Sequence, residues 1–348
     1  MKKEKRITIS DIARISGYSK TAVSFAFNSP EKIGAEACAH ILSVAKQLDF
    51  VPNPLARSLS LGRHKAIGFL LPQDINKALS NPYILQVIKG IGTICQDKGY
   101  MLTIIPPLHN SIPEAVKNAT VDGIITMGFF IDLGISDILR QRRLPVVSID
   151  GEANGEIPSV TIDDEEAAFM QMNSVLELGH RKVAIVTLPQ EAFVKEGDKK
   201  SRSIEKRKEG YLKALKGFHL AWDDVISEYD TEVSFLAGLE LANTLVSNEK
   251  ERPSAIVTMS DIVAIGLIQG LKNHNIIPGK DVSIVGFDGI EEGNLTDPQL
   301  ATISQPGEKK GRMAATLLFQ TLNNEDVNSN ILMPCKFLAR PSLGSTVK

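Results

Sequence analysis

Side chains at the ends of four apolar stretches include three carboxylates and a hydroxyl, groups that can hold a small polar molecule through hydrogen bonds. The stretches end at Met127, at Asp150, at Ser260 with Asp261, and at Asp288. The alternative for Ser260 and Asp261 is that they only cap the helix that follows them. The spacing alone does not decide between a ligand site and helix caps.

Apolar strand candidates alternate with helical stretches along most of the chain. The strand candidates are 65–72, 100–107, 121–128, 144–150, 182–188, 254–261 and 281–289. The helical stretches between them include 83–97, 164–178, 204–217, 234–247 and 262–273. This alternation is typical of parallel sheets covered on both faces, and two such series predict two doubly wound subdomains. Open sheets of this kind bind ligands beyond the carboxyl ends of their strands, where the polar residues lie.

A different pattern precedes the first strand candidate. Thr8 is a helix N-cap with Asp11 three residues on, Gly17 breaks that helix, and Ser19 caps a second one. Two short helices joined by a turn that contains glycine predict a helix-turn-helix, whose second helix enters the major groove of DNA. Residues 1–64 hold ten Lys and Arg against five Asp and Glu, a net +5 in a chain of −2, which leaves −7 elsewhere. A basic end on an acidic body is typical of a nucleic-acid-binding arm, although a solvated basic terminus gives the same count.

The chain resembles the LacI/GalR family of transcription regulators over essentially its whole length. The resemblance rests on the stretch Thr8 to Asn28, on VPNPLARSL, and on VDGII, ELGHRKVA, RKEGY, DVSIVGFD and LATISQP in the family's order. It implies a helix-turn-helix headpiece at 1–52, a hinge helix and linker at 53–64, and a periplasmic-binding-protein-like core at 65–348. The implied fold is thus an α headpiece on an α/β core. The core would hold an N-subdomain of about 65–162 plus 293–322 and a C-subdomain of about 163–292 plus 323–348.

The resemblance also implies which residues contact DNA. Lys20 and Thr21 would face base edges, while Phe25 departs from the polar residue that many members carry there. Phe25 would either contact a thymine methyl group or pack internally and leave its base pair unread. The other residues implied at the DNA are Ser24, Asn28, Ala56, Arg57 and Leu59. Leu59 would wedge into a base step from the minor groove, and the alternative is that 53–60 is only a flexible linker.

A second set of residues is implied at an effector site between the subdomains. It consists of Tyr83, Asp150, Arg207, Asp288 and Gln305, together with Met127, Ser260 and Asp261 at the strand ends. A sugar is the effector that the resemblance favours. Ser260 stands where an asparagine is common, and the aromatic that stacks on a ligand in many members is not evident in this chain.

Composition and motifs argue against several other classes of protein. The N-terminus has no apolar signal segment, and no stretch approaches 18 uninterrupted apolar residues. The three cysteines are widely spaced, as reduced thiols in a cytoplasm would be, and the histidines show no metal spacing. The sequence contains no G-x-S-x-G elbow, no P-loop and no G-x-G-x-x-G. It therefore gives no positive reason to expect catalysis, a cofactor or a metal.

The sequence predicts a cytoplasmic homodimer, or alternatively a tetramer, that binds a roughly palindromic double-stranded DNA operator. A small-molecule effector would control it, and repression is the expected activity, without membrane association. A solute-binding receptor and an enzyme acting on a sugar are the alternatives, because the core by itself would serve either. The headpiece and the absence of a signal segment argue against the receptor.

Overall fold

Within residues 7–53, three α-helices pack together in the N-terminal unit of the computed structural model. The structure describes residues 7–53, 58, 62–71, 73–128, 133–151, 157–189, 202–247, 252–327 and 330–346. The chain divides into two units, Met1–Lys65 and Ala66–Lys348. The helices of the first unit are α1 (Ile9–Ser16), α2 (Lys20–Asn28) and α3 (Ala35–Gln47), with a short 3-10 turn at Pro30–Lys32.

Local hydrogen bonds set the limits of the first two helices. The backbone N–H and the hydroxyl of Thr8 both donate to one carboxylate oxygen of Asp11, over 3.0 and 2.7 Å. Gly17 ends α1 with φ of 76°, a conformation that costs glycine nothing. The Ser19 hydroxyl then accepts from the backbone N–H of Ala22 and starts α2. The helix-turn-helix predicted from these residues is present, and Ile12, Val23 and Ile41 close a small core between the three helices.

The core begins with a six-stranded parallel sheet in the order β11-β5-β4-β3-β1-β2. Its strands are β1 (Ala66–Leu70), β2 (Met101–Ile105), β3 (Gly123–Met127), β4 (Val146–Ile149), β5 (Ser159–Ile162) and β11 (Asn330–Met333). The helices between its first five strands are α4 (Ile75–Leu79), α5 (Pro82–Asp97), α6 (Ile112–Asn118) and α7 (Leu133–Arg142). β1, β3 and β4 are buried almost throughout, as continuous apolar strands should be when helices cover both faces.

A second six-stranded sheet has the order β12-β10-β9-β8-β6-β7. Its strands are β6 (Val183–Thr187), β7 (Ile226–Asp230), β8 (Ala255–Thr258), β9 (Ser283–Asp288), β10 (Ala301–Ser304) and β12 (Lys336–Leu338). Its helices are α8 (Asp164–Glu177), α9 (Arg202–Gly217), α10 (Trp222–Val225), α11 (Phe235–Val246) and α12 (Asp261–Asn273), whereas α13 (Gly307–Leu322) packs against the first sheet. Only the edge strand β12 runs antiparallel. The predicted pair of doubly wound sheets is confirmed, and each repeats the order 2-1-3-4-5.

The chain passes between the two sheets three times, and two of the crossings differ from the predicted subdomain limits. The first lies between β5 and α8, near the predicted residue 162. The predicted limit at 292 is wrong, because β10 continues the second sheet and Ala301 lies opposite Val285 of β9. The predicted limit at 322 is also wrong, because β11 still belongs to the first sheet, beside β5, and the chain joins the second sheet only at β12. The later crossings therefore follow Ser304 and Met333.

Close helix contacts stabilise each half of the core. α5 packs on α13 so tightly that a Cβ on Gly90 would lie 2.1 Å from the carbonyl oxygen of Glu308. α8 and α9 meet in the same way at Gly210, and α11 and α12 meet at Gly238. Within the described ranges, no helix combines the length and the apolar character that crossing a bilayer requires.

Candidate ligand site and candidate DNA interface

A buried lysine, Lys310 of α13, occupies the centre of the polar region between the two sheets. Its side chain has no exposed surface. The ammonium nitrogen donates to both carboxylate oxygens of Asp150, over 2.6 and 2.8 Å, and to Gln305 Oε1 over 2.7 Å. It also lies 3.0 Å from the hydroxyl of Tyr83, which donates to Asp150 over 3.2 Å. Four acceptor atoms thus surround an ammonium that has three N–H groups.

The hydrogen bonds continue from Lys310 into the second sheet. Gln305 follows β10, and its amide nitrogen donates to Asp288 at the end of β9 over 2.7 Å. The Ser260 hydroxyl, just after β8, donates to the other oxygen of Asp288 over 3.2 Å. One polar network therefore joins the carboxyl ends of strands in both sheets, at the place where doubly wound sheets bind ligands. Five of the eight predicted effector residues belong to it. They are Tyr83, Asp150, Ser260, Asp288 and Gln305.

The carboxyl group of Asp288 has a pKa far above its ordinary value. Burial raises its pKa to about 7, and the negative charge of the nearby Asp261 adds to that effect. The charge of Arg207 and the hydrogen bonds from Gln305 and Ser260 act in the opposite direction. Burial also raises the pKa of the Tyr83 hydroxyl well above its ordinary value, followed by the charge of Asp150. Perturbed groups of this kind concentrate at functional sites.

Two aspartates of the site have unusual backbone conformations. Asp150 has φ of 52° and Asp288 has φ of 132°, conformations that L-residues adopt rarely. Such positions persist where the surrounding structure overrides a local cost of about 1–3 kcal/mol, and they are common at binding sites. Both side chains are thereby directed from strand ends into the same network.

Arg207 forms a second ion pair beside this network. Its Nε donates to Asp164 over 2.8 Å, and Nη1 donates to the carbonyl oxygen of Met259 over 3.0 Å. The guanidinium carbon lies 3.6 Å from the ring centroid of Phe287, a stacked arrangement that suits arginine. This stacking fixes the plane of the guanidinium group. The side chain is only 7% exposed, so it is held in place before any ligand arrives.

Asp261 and Met127, also predicted at the site, have other surroundings. The Asp261 carboxylate accepts from the backbone N–H groups of Gly289 and Ile290 and from the Thr302 hydroxyl, over 2.6 to 3.0 Å. It thus holds the turn after β9, while Ser260 makes no capping hydrogen bond with its side chain. Met127 is half-buried against the apolar core of the first sheet. The structure brings neither Asp261 nor Met127 into the Lys310 network.

An open groove of about 270 Å³ borders the network. Asp150 and Asp164 line it, together with Arg202 and Lys206 from α9. Asp150 is the one predicted effector residue that lines this groove, while Tyr83, Ser260, Asp288 and Gln305 are hydrogen-bonded within the buried network. Among the described residues, no group of His, Cys, Asp and Glu side chains is arranged to hold a metal ion.

The residue-by-residue resemblance did not reveal Lys310 or Asp164. A signal for Lys310 was present in the helical period of α13. Gly307, Gly311 and Ala314 form the buried stripe of that helix, and Lys310 falls on the same face. A lysine on an apolar face must find partners when it is buried. Asp164 gave no comparable signal, since an acidic residue in the first turn of a helix is common.

The start of α2 presents the residues predicted to contact DNA. Lys20 and Thr21 are exposed, whereas Val23 and Ala26 of the same helix are buried. Asn28 donates to the Ser24 hydroxyl over 3.3 Å, so both side chains already have a partner within the helix. Phe25 is half-buried, and the ammonium of Lys32 lies 5.7 Å from its ring centroid.

The headpiece core contacts Phe27 instead of Phe25, so the internal-packing alternative for Phe25 gains no support. The hinge predictions at Ala56, Arg57 and Leu59 lie outside the described residues.

Comparison with known proteins supports both units. The family model for bacterial regulatory proteins of the lacI family matches residues 8–53, and that for a periplasmic binding protein-like domain matches 173–343. The transcriptional repressor PurR of Proteus mirabilis is 28% identical over 330 residues, covering 91% of each chain.

Solved structures share the fold. A lac repressor dimer bound to operator and the anti-inducer ONPF has a TM-score of 0.79 at 21% identity, covering 97% of this chain and 99% of that one. A LacI-family regulator from Enterococcus faecium with bound ribose has a TM-score of 0.70 at 23% identity, covering 81% of this chain and all of that one.

The fold and the two matched regions define a helix-turn-helix headpiece joined to a periplasmic-binding-protein-like core. The chain therefore carries a headpiece of the lacI family of bacterial regulatory proteins and a periplasmic binding protein-like domain.

Proposed function

We propose that this chain is a cytoplasmic transcriptional repressor, not an enzyme, which binds a roughly palindromic operator as a homodimer. The observation that carries the proposal is the exposed start of α2, where Lys20 and Thr21 face away from a buried helix face. Residues at the beginning of a recognition helix contact base edges in the major groove. The related PurR protein is named a repressor, and a lac repressor of the same fold was solved as a dimer on its operator.

A small-molecule effector bound between the two sheets would control the repressor. The network from Asp150 through Gln305 to Asp288 joins the two halves of the core, so a ligand that rearranges it changes their relative position. Linkage then requires that DNA change the affinity for the effector by the same factor. A sugar is the class of effector that we favour, because a regulator of the same fold was solved with ribose.

Site selection from a random DNA pool tests the DNA-binding half of the proposal. The wild-type chain should enrich a palindromic sequence, whereas Lys20→Ala should enrich a more relaxed one. Loss of a base contact costs about 1–3 kcal/mol at one position. Lys46→Ala is the matched control, since Lys46 is an exposed lysine of α3, outside the recognition helix, and should leave the selected sequence unchanged. No enrichment by the wild type at low salt would refute the proposal.

A second selection tests Phe25. Phe25→Arg should change the preferred base at one position in each half-site, because arginine can donate to O6 and N7 of guanine. The same preferred site for both proteins would show that this residue faces no base pair.

The effector-binding part of the proposal is tested in two steps. A thermal-shift screen of sugars, nucleosides and phosphorylated metabolites identifies a compound, and calorimetry then measures its affinity. Arg207→Ala and Asp288→Ala should each weaken binding of the compound found about ten- to hundredfold, since charge-assisted hydrogen bonds contribute about 1.5–3 kcal/mol each. Operator affinity without the compound should change little. Wild-type affinity in both folded variants would place the ligand elsewhere in the core.

A further inference from the structure

Lys310 has the surroundings that proteins provide for a ligand's ammonium group. Four oxygen atoms lie within 3.0 Å of its nitrogen, two from Asp150 and one each from Gln305 and Tyr83. The same nitrogen lies 5.6 Å from the centre of the Tyr83 ring. Carboxylate, amide and phenol oxygens beside an aromatic face are the groups that bind a primary ammonium ion.

The acceptors come from both halves of the core. Tyr83 and Asp150 belong to the first sheet and its helices, while Gln305 follows the last parallel strand of the second. We infer that the polar centre between the sheets is an ammonium-binding site, that this chain fills it with its own Lys310, and that Lys310 thereby determines which ligands the neighbouring effector site accepts. The statement about which ligands are accepted rests on the proposed function, whereas the statement that Lys310 fills an ammonium site does not.

Lys310 leaves few hydrogen-bonding atoms for a ligand among the residues contributed by the first half of the core. It engages both carboxylate oxygens of Asp150, and Tyr83 donates to one of them. On the second-sheet side, Arg207 uses two of its five N–H groups within the described residues, and Asp164 uses one carboxylate oxygen. A ligand therefore finds unused hydrogen-bonding atoms on Arg207 and Asp164.

The charge of Lys310 also selects among ligands. A cationic amine close to the buried ammonium of Lys310 meets a like charge that water screens poorly. The wild-type site therefore disfavours binding of cationic compounds. Without the lysine side chain, Asp150 loses its cation and the site holds an excess of negative charge. A small primary ammonium ion can then occupy the space and replace the lost hydrogen bonds.

Chemical rescue of Lys310→Ala in the full-length chain tests the inference, with propylammonium chloride as the probe. Propylammonium should raise the thermal unfolding midpoint of Lys310→Ala along a saturation curve, by at least about 3 °C. 1-Propanol lacks the charge and tetramethylammonium lacks N–H groups, so neither should do so. Lys309→Ala is the matched control, because Lys309 is the exposed neighbour on the same helix. It should respond no more than the wild type.

The rescue experiment has one outcome that supports the ammonium site and one that overturns it. A saturable response restricted to propylammonium and to Lys310→Ala supports the ammonium site, and an equal or absent response in all three proteins overturns it. If Lys310→Ala does not fold alone, recovery of folded protein on refolding with propylammonium replaces the midpoint as the measurement, with the same two outcomes. No DNA or effector is present, so failure here leaves the proposed function intact, and failure of the DNA selection leaves this result intact.

Discussion

At the scale of single residues, the buried carboxyl of Asp288 makes stability depend on pH. Its pKa is raised to about 7 from the ordinary 3.8, first by burial and then by the charge of Asp261, whose own pKa is raised to about 6. The folded protein therefore holds these protons more tightly than the unfolded chain does. The stability that this gives is complete below about pH 4 and is lost as the pH rises through about 7.

Replacing Asp288 with Asn should flatten this dependence. Asn keeps the shape and can still accept from Gln305, yet it does not ionise. Between pH 4.5 and 7.5 the free energy of unfolding should fall less in Asp288→Asn than in the wild type, by up to about 1.4 kcal/mol per pH unit for one proton. Urea unfolding at several pH values measures this difference.

Asp97→Asn serves as the control for that series, since Asp97 is exposed at the end of α5. It should follow the wild type at every pH. The lowered pKa of His180, caused by its burial, reduces stability at acidic pH in all three proteins and cancels in the comparison. Parallel curves for the wild type and Asp288→Asn would mean that Asp288 does not change its ionisation in this range.

The sequence predicted the site residues unevenly. Asp288 and Ser260 were predicted because polar groups end apolar strands, and the structure joins these two side chains by a hydrogen bond. The same pattern predicted Asp261, whose carboxylate holds the turn after β9, because position at a strand end does not reveal which way a carboxylate faces. Lys310 was not predicted, since a lysine on a helix is usually solvated, although the helical period of α13 places it on the apolar face that is buried.

At the scale of elements, the contact of α5 with α13 depends on Gly90. The backbone of Glu308 and Arg312 occupies the space where a Cβ would lie, at 2.1 and 2.8 Å. Gly90→Ala should therefore destabilise the core by about 1–3 kcal/mol or more, since packed backbone cannot move away without repacking. Urea or thermal unfolding measures the change, and the same displacement of α13 should disturb Lys310.

Gly92 on the same helix provides the matched control. A Cβ there would meet only Leu102, at an ordinary 3.8 Å. Gly92→Ala should then stabilise the protein by up to about 1 kcal/mol, because alanine favours helix over glycine. A similar loss of stability in both variants would show that the close approach at Gly90 is not what matters.

The sequence predicted the long apolar strands and the edge strand β2, but it predicted neither the other edge strands, β7, β11 and β12, nor the short interior strands β5 and β10. β3 and β8 are buried nearly throughout and stood out as strands. β11 and β12 have exposed or half-buried residues along their whole length, since they lie at sheet edges, and their sequences resemble loops. The crossings after Ser304 and Met333 depend on these strands and could not be found without the pairing partners.

At the scale of the whole molecule, charge is divided between the two units. The net +5 of residues 1–64 against −7 in the remainder means that the field attracting DNA comes from the N-terminal unit. We expect affinity for any duplex to fall steeply with salt, because phosphate contacts release counterions. A plot of log affinity against log salt concentration should be linear with a negative slope, as measured by fluorescence anisotropy.

The thermal unfolding midpoint of the core should change little over the same range of salt. This control separates loss of binding from loss of structure. Affinity for DNA that is independent of salt between about 50 and 200 mM would contradict an electrostatic role for the headpiece.

The passage of the chain from β11 to β12 has a consequence for biosynthesis. The helices α1, α2 and α3 are complete once about 50 residues have been made, whereas the first sheet is complete only after residue 330 and the second only after residue 336. At ordinary elongation rates, β5 remains an unpaired edge on the ribosome for on the order of ten seconds. Both halves of the core are then completed within a few residues of each other. A nascent chain that stops before residue 330 therefore lacks a strand in each sheet, and translation yields no separate, finished half of the core.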